Sequence, residues 1–271
     1  MKRGHATMSG SAMRRGAIVT GGSSGVGVAI VASLLRADPT SKVFVTGQKP
    51  LAESPLQKLL DGVGTAAAER VRYATGDTSD EEVVSKQFQE AIDFFDSAPP
   101  RALFLNAGIG GGRYPLEEFS VERFDALFRV NVRGVFLWLR AALPALKAHT
   151  EGGSQIVVTS SVAALKGIGN GGPYAATKFA VNGLVLSLRE ELKAGAPHVK
   201  AALVCPGPID TPWWGDVGRG GRIDPTAPPP ERMLSPESVA ASCMMLVQQD
   251  ATSDIERIVL EPSTVDAEAG K

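Results

Sequence analysis

The chain has 271 residues, of which 44% are hydrophobic and 21% charged, and its formal net charge is −1. This length suits one α/β domain with a full core. The near-neutral charge, without a long block of basic residues, argues against nucleic acid or an anionic membrane surface as a partner.

The amino terminus, residues 1–15, is basic and contains no acidic residue. It lacks an apolar run long enough for secretion, so it is predicted to be a flexible or disordered tail, with an organelle-targeting peptide as the alternative. Cys205 and Cys243 have no metal-ligand spacing and the three histidines are scattered, so we expect no metal site. Reduced thiols and the absence of a membrane-spanning apolar run favour a cytoplasmic protein.

Seven short apolar runs rich in β-branched residues are predicted strands: Ala17–Thr20, Lys42–Thr46, Val71–Thr75, Ala102–Leu105, Gln155–Thr159, Lys200–Val204 and Glu256–Leu260. Helical patterns lie between most of them: Val26–Arg36, Asp80–Phe95, Val121–Lys147, Pro173–Lys193 and Pro236–Gln249. This alternation predicts a doubly wound α/β fold, in which helices cover both faces of a mostly parallel sheet.

No internal repeat and no linker divides the chain. The sequence therefore predicts a single domain over residues 16–262, followed by a short tail, 263–271. Residues 206–236 break the strand-helix rhythm with many glycines and prolines and with Trp213 and Trp214 near their start. A loop of this length in a compact domain is expected to be a substrate loop or lid.

A glycine-rich turn, Thr20 to Gly27, joins the first predicted strand to the first helix. Its order, G-x-x-x-G-x-G, differs from the common dinucleotide fingerprint, and Val28-Ala29 stands where a P-loop requires Lys-Ser/Thr. Glycines at such a turn let the backbone approach a pyrophosphate at the helix amino terminus. A tight connection that binds nothing is the alternative.

The end of the second strand bears on cofactor type. A dinucleotide site for NAD usually carries an acid here, which holds the ribose hydroxyls. This chain has Gly47-Gln48-Lys49 instead. Lys49 could face a 2′-phosphate or be a solvated surface lysine, so NADP(H) is favoured and NAD(H) remains possible. Gly47→Asp is expected to move the preference toward NAD(H).

Tyr174 and Lys178 are spaced i, i+4 in a helical pattern and should share one helix face. A nearby ammonium is expected to lower the pKa of a phenol, which is ordinarily about 10. Ser160 and Ser161 follow the fifth strand, at the sheet edge where open α/β sheets bind ligands. A helix cap is the alternative role of these serines, and chance spacing is the alternative for the pair.

Two further polar groups stand out. Asn106-Ala107-Gly108 follows the fourth strand, and Asn131 interrupts an otherwise apolar helix pattern. A buried asparagine needs hydrogen-bond partners, so Asn131 marks either a structural or a catalytic network.

Taken together, the residues resemble the short-chain dehydrogenase/reductase family over roughly Gly16 to Leu260. The matching elements, in the family's order, are Thr20-Gly21-x-x-x-Gly25-x-Gly27, Asp77, Asn106-Ala107-Gly108, Asn131, Ser161, Tyr174-x-x-x-Lys178, Pro206-Gly207 and Thr211. The resemblance implies a single Rossmann-like domain with a seven-stranded sheet.

The resemblance also implies residue roles. The implied catalytic set is Asn131, Ser161, Tyr174 and Lys178, with Tyr174 as general acid/base. Ser161 polarises the carbonyl, Lys178 holds the nicotinamide ribose and lowers the pKa of Tyr174, and Asn131 holds a relay water. The implied cofactor contacts are Thr20, Gly21, Ser23, Ser24, Gly25, Val26, Gly27, Gly47, Gln48, Lys49, Asp77, Thr78, Asn106, Ala107, Gly108, Tyr174, Lys178, Pro206, Gly207, Ile209 and Thr211.

The implied activity is hydride transfer between a nicotinamide cofactor and a small carbonyl or secondary alcohol substrate. A homo-oligomer, dimer or tetramer, is implied as well. A non-catalytic nucleotide-binding sensor or scaffold, and an epimerase or dehydratase on the same fold, are the alternatives.

Overall fold

A computed structural model describes residues 16–214 and 232–263. The amino-terminal tail 1–15 lies outside the described residues. So do residues 215–231 of the predicted substrate loop and all but the first residue of the tail 263–271.

The described chain forms one parallel sheet of seven strands, in the order β3-β2-β1-β4-β5-β6-β7. The strands are β1 (Ala17–Thr20), β2 (Val43–Gly47), β3 (Val71–Thr75), β4 (Ala102–Leu105), β5 (Ser154–Thr159), β6 (Val199–Pro206) and β7 (Arg257–Leu260). Central strands such as β1 and β4 are buried along their whole length because both faces are covered. The predicted fold class and all seven strands are confirmed.

Eight α-helices lie in the described residues: α1 (Gly25–Ala37), α2 (Pro55–Gly62), α3 (Thr65–Ala68), α4 (Glu81–Phe94), α5 (Val121–Phe128), α6 (Gly134–Ala148), α7 (Gly172–Gly195) and α8 (Pro236–Gln248). The sequence did not predict α2 and α3, which are short and mostly exposed. The predicted helix Val121–Lys147 is wrong as one regular element, because a π-helical turn, Arg129–Arg133, separates α5 from α6. Such a turn adds a residue to the helix and often marks a functional site.

Two apolar cores lie on opposite faces of the sheet. On one face, α1 and α8 pack together over Val19, Val45 and Val204. On the other face, α4, α6 and α7 cover Ile18, Leu105 and Val158. Adjacent strand residues such as Ile18 and Val19 therefore serve different cores, as the two-residue period of a strand requires.

The direction of strand addition reverses at β1. The chain moves from β1 outward through β2 to β3, then returns to place β4 on the other side of β1. The carboxyl ends of β1 and β4 consequently diverge into a crevice, the usual ligand position of a doubly wound sheet. The glycine-rich turn and Asn106 border this crevice. In residues 16–214 and 232–263, no helix is both long and apolar enough to cross a membrane.

Substitution of Ile156 tests the assignment of the central core. It is fully buried in β5, so Ile156→Ala should lower the free energy of unfolding by about 2–5 kcal/mol through lost burial and a residual cavity. Val259→Ala, on the half-exposed edge strand β7, is the matched control and should cost less than about 1 kcal/mol. Urea unfolding followed by circular dichroism measures both. Equal losses for the two variants would contradict this assignment of the core.

Candidate active site

The glycine-rich turn is shaped by close contacts that exclude side chains. Gly21 has a φ of +62°, and a Cβ there would lie 2.7 Å from the Cα of Ala107. Gly25 also has a positive φ of +53°, and a Cβ on Gly27 would lie 2.6 Å from the Cα of Gly22. A side chain at Gly21 would therefore push the turn away from the end of β4, and one at Gly27 would collide with the backbone of the turn itself.

The amino terminus of α1 follows directly. The Ser24 side chain does not cap α1, and the first turn of α1 carries no acidic residue. Backbone N–H groups at a helix start attract anions. The glycine cradle and this helix end therefore fit the pyrophosphate of a dinucleotide.

A hydrogen-bond network ties the turn to the neighbouring strand ends. The Thr20 hydroxyl accepts from the backbone N–H of Asn106 (3.0 Å) and of Ala107 (3.1 Å). The Asn106 amide donates to the Gly21 carbonyl (3.3 Å) and accepts from the Thr159 hydroxyl (3.2 Å). The ends of β1, β4 and β5 are thereby held in one arrangement around the crevice.

The expected adenosine side lies at the ends of β2 and β3. Gln48 and Lys49 are exposed, whereas Gly47 is buried. Burial raises the pKa of Asp77, but hydrogen bonds from the Ser79 side chain and backbone, together with Arg129, bring that pKa below its ordinary value. The Thr78 hydroxyl accepts from the Trp138 indole (3.0 Å), which anchors this segment to α6.

Ser161 and Tyr174 meet at the end of β5. The Ser161 hydroxyl faces the Tyr174 phenol and acts on its pKa as a hydrogen-bonding group. Its oxygen accepts from the backbone N–H of Ala163 (3.1 Å), and the hydroxyl donates to the Pro206 carbonyl (3.4 Å). Ser161 thus both caps the short 3₁₀ turn Val162–Ala164 and faces Tyr174. Ser160 instead donates to Asn182 in α7 (2.6 Å). Of the two serines, the structure brings Ser161 to the tyrosine.

Lys178 lies beside Tyr174 on α7, as the spacing predicts. Its ammonium is 5.7 Å from the centre of the tyrosine ring and donates to the Thr159 carbonyl (3.1 Å). The side chain is buried, with 6% exposure, and this desolvation lowers the pKa of Lys178 from 10.5 to about 8. Lys178 is still largely cationic at neutral pH.

The expected lowering of the Tyr174 pKa is not observed. Burial raises the pKa of Tyr174 to about 12, and the hydrogen bond to Ser161 offsets this only in part. Desolvation of the phenolate is the largest contribution, and the ammonium, 5.7 Å from the ring centre, does not reverse it. In the protein without ligands, Tyr174 is therefore a neutral proton donor.

Asn131 lies in the π-helical turn and is almost fully buried. Its side-chain oxygen accepts from the Ile109 N–H (2.8 Å), and its amide donates to the Ile109 carbonyl (3.0 Å) and to Thr177 (3.2 Å). Thr177 in turn donates to the Tyr174 carbonyl (2.7 Å). The asparagine side chain thus links the loop after β4 to α7.

The segment after β6 closes the site. The Gly207 N–H donates to the Leu260 carbonyl (2.8 Å), and the Thr211 methyl group packs over Gly25, 3.1 Å from where its Cβ would be. Ile209 pairs with Leu234 in a short parallel bridge and accepts from the Trp214 indole (2.7 Å). Of the predicted contacts from Pro206 to Thr211, Thr211 therefore lies against the glycine-rich turn.

Trp213 forms an aromatic wall beside Tyr174. Its ring stands edge-on to Tyr174, with centroids 6.2 Å apart. It also covers Gly110, where a Cβ would lie 2.8 Å from the indole.

Sequence reasoning did not assign Thr159, Thr177 and Asn182 to this region. Thr177 and Asn182 could have been found from their helical spacing to Tyr174, because both occupy buried positions of α7. Within residues 16–214 and 232–263, no cluster of three or more His, Cys, Asp or Glu side chains is placed to hold a metal ion.

Comparison with known proteins agrees with this geometry. Residues 15–220 match the family model described as short chain dehydrogenase. A levodione reductase of Leifsonia aquatica is 30% identical over 87% of this chain and 88% of that protein. A 2-(R)-hydroxypropyl-CoM dehydrogenase of Xanthobacter autotrophicus is 32% identical over 89% and 94%. An alcohol dehydrogenase structure from Thermococcus sibiricus, complexed with 5-hydroxy-NADP, has a TM-score of 0.74 and 27% identity over 92% of this chain and 96% of that one.

The buried cation generates a stability prediction. Because the unfolded chain keeps Lys178 hydrated, its lowered pKa costs the folded state about 1.4 kcal/mol per pKa unit at neutral pH. Lys178→Met should therefore raise the free energy of unfolding at pH 7 by about 1–3 kcal/mol, allowing for the lost bond to Thr159. Between pH 8 and 10.5 the Lys178 side chain holds its proton only in the unfolded state, so the stability of the wild type rises with pH. The stability advantage of Lys178→Met over the wild type should therefore shrink in this range.

Urea unfolding at pH 7 and 10 measures this difference. Lys166→Met, at an exposed lysine, is the control and should change stability little at either pH. A Lys178→Met protein that is less stable than wild type at both pH values would contradict the desolvation argument.

Proposed function

Because the chain belongs to the short chain dehydrogenase family, we propose that it is an oxidoreductase in which Tyr174 exchanges the proton with a carbonyl or secondary alcohol substrate. The observation that carries this proposal is the meeting of Ser161, Tyr174 and Lys178 at the sheet edge. The glycine-rich turn and the start of α1 lie at the same edge, where they would hold the pyrophosphate.

In this proposal the nicotinamide supplies or accepts the hydride. Tyr174, neutral at pH 7, gives its proton to the substrate oxygen during reduction. Ser161 donates to the same oxygen as negative charge develops on it. Lys178 holds the nicotinamide ribose hydroxyls, and its charge favours the tyrosinate that remains.

Asn131 is proposed to organise a proton path rather than to touch the substrate. Its hydrogen bonds to Ile109 and Thr177 fix the π-helical turn against α7. A water held at this turn would link Lys178 to solvent.

We propose NADP(H) as the favoured cofactor, with NAD(H) as the alternative. The end of β2 carries no acid at Gly47, and Lys49 follows two residues later. The similar alcohol dehydrogenase of Thermococcus sibiricus, whose structure contains an NADP derivative, supports the same choice.

The proposed substrate is a small molecule that carries a carbonyl or secondary alcohol group. Levodione reductase and 2-(R)-hydroxypropyl-CoM dehydrogenase, among the similar proteins, have names that fit this class. Trp213 would form an apolar wall of the substrate pocket, since its ring lies against Tyr174.

We also propose a single domain over residues 16–262 and a homo-oligomer, dimer or tetramer. The large exposed side chains Phe124, Phe136 and Phe179 lie on α5, α6 and α7, which supports contact with a second copy. A cytoplasmic location is proposed because both cysteines are free thiols.

Tyr174→Phe tests the function. It removes one oxygen, so the fold and the affinity for NADPH should stay close to wild type. Reduction of any ketone or aldehyde that the wild type accepts should fall by about 10²–10⁴-fold in kcat. NADPH oxidation across a substrate panel, with cofactor affinity measured by fluorescence, gives both quantities.

Tyr114→Phe is the matched control, because Tyr114 lies outside the proposed catalytic set and accepts from Arg123. It should retain turnover. If Tyr174→Phe keeps most of its turnover, the proton comes from another group. Wild-type protein that binds cofactor without net oxidation or reduction would support the sensor, or the epimerase or dehydratase.

The two pKa values predict the pH dependence of reduction. Tyr174 stays protonated up to a pKa of about 12, whereas Lys178 loses its cation near its pKa of about 8. The reductive kcat/KM should therefore fall as pH rises through about 8, because the tyrosinate left after proton transfer then lacks its stabilising cation. In Lys178→Arg, which keeps its charge, any remaining reductive activity should lack this fall. A fall at the same pH in Lys178→Arg would contradict the assignment.

A further inference from the structure

The Tyr73 side chain extends from β3 to the end of the neighbouring strand, β2. It lies on β3 opposite Val45, and its hydroxyl donates to the Lys49 carbonyl at 2.6 Å. The same hydroxyl lies over Gly47, where an added Cβ would overlap it. The Ser23 hydroxyl of the glycine-rich turn converges on the same point, 2.8 Å from that Cβ position.

This contact adds a condition to the expectation for Gly47→Asp. The Gly47 backbone does not have a positive φ, so the backbone conformation alone would tolerate a side chain. The obstacle is the Tyr73 phenol, which is held by its bond to Lys49, and the buried Ser23. An aspartate could extend toward a ribose only if Tyr73 moved.

We propose that Tyr73 determines cofactor specificity at the adenosine end of the site. It fills the space that a ribose-binding carboxylate at position 47 would need, and it positions the main chain at Lys49. The pocket is thereby left open to a 2′-phosphate. This inference rests on the proposed binding of a nicotinamide dinucleotide.

Tyr73 acts in two separable ways. Its ring and oxygen exclude a side chain at Gly47, which is a matter of volume. Its hydrogen bond to the Lys49 carbonyl fixes the turn that follows β2, which is a matter of position. Lys49 is exposed at that turn, so fixing its main chain limits where its ammonium can lie. Tyr73 is a positioning residue in this second respect.

Fragments of the cofactor isolate the adenosine end. Calorimetric titration with 2′,5′-ADP and with 5′-AMP compares ligands with and without the 2′-phosphate, and neither ligand requires turnover. The wild type should bind 2′,5′-ADP at least about tenfold more tightly than 5′-AMP, as expected for a charge-assisted contact. Tyr73→Phe should reduce this ratio about three- to tenfold, mainly by weakening 2′,5′-ADP.

A double variant tests the volume argument. Gly47→Asp alone should lose 2′,5′-ADP affinity and gain none for 5′-AMP, because Tyr73 blocks the new side chain. Combined with Tyr73→Val, which suits a strand and removes the closest contact while that with Ser23 remains, Gly47→Asp should raise 5′-AMP affinity by about fivefold or more over Tyr73→Val alone.

Tyr114→Phe serves as the control, because it also removes a hydrogen-bonded phenol oxygen but lies in the loop after β4. It should leave the ratio of the two affinities unchanged. Thermal melts without ligand establish that each variant is folded, and Tyr73→Phe alone decides the question if Gly47→Asp fails to fold.

Several results would overturn the inference. An equal gain in 5′-AMP affinity from Gly47→Asp with and without Tyr73 would show that Tyr73 blocks nothing. An unchanged ratio in Tyr73→Phe would remove its positioning role. A wild type that binds both fragments equally would refute the specificity while leaving dinucleotide binding intact. A wild type that binds neither of the two fragments and neither NADPH nor NADH would refute the proposed function itself.

Discussion

A buried ammonium group at the carboxyl edge of the sheet is the constraint on which the site depends. Moving a cation out of water is costly, and the Thr159 carbonyl and the Cys205 thiol recover too little to restore the ordinary pKa of Lys178. The rest of the fold must hold the group there. The length of α7, its packing on the sheet and the network around Asn131 supply that rigidity.

The same burial explains why Tyr174 and Lys178 form a useful pair. Desolvation favours the neutral form of both, so the pKa of the tyrosine rises while that of the lysine falls. At neutral pH the result is a protonated phenol beside a cation. That combination suits a group that must deliver a proton and then carry negative charge, and it arises from burial before any ligand contributes.

The sequence predicts the parts of this site that local pattern controls. Apolar runs locate all seven strands, and helical spacing places Tyr174 and Lys178 on one face. It does not predict the π-helical turn around Asn131, because apolar residues are dense on both sides of it and fit one continuous helical pattern. The sequence also predicts a lowered pKa for Tyr174, which is wrong, since spacing shows the neighbouring cation but not the depth of burial that raises this pKa.

The glycines show why a motif cannot be interpreted apart from the sheet that carries it. Gly21 is restricted by Ala107 after β4, Gly25 by Thr211 after β6, and Gly47 by Tyr73 in β3. Each restriction comes from an element distant in sequence, brought close by parallel strands that end at one edge. The consequence of changing such a glycine is therefore set by strand order and register. Two chains with identical glycine spacing but different residues at these facing positions would differ in what the turn accepts.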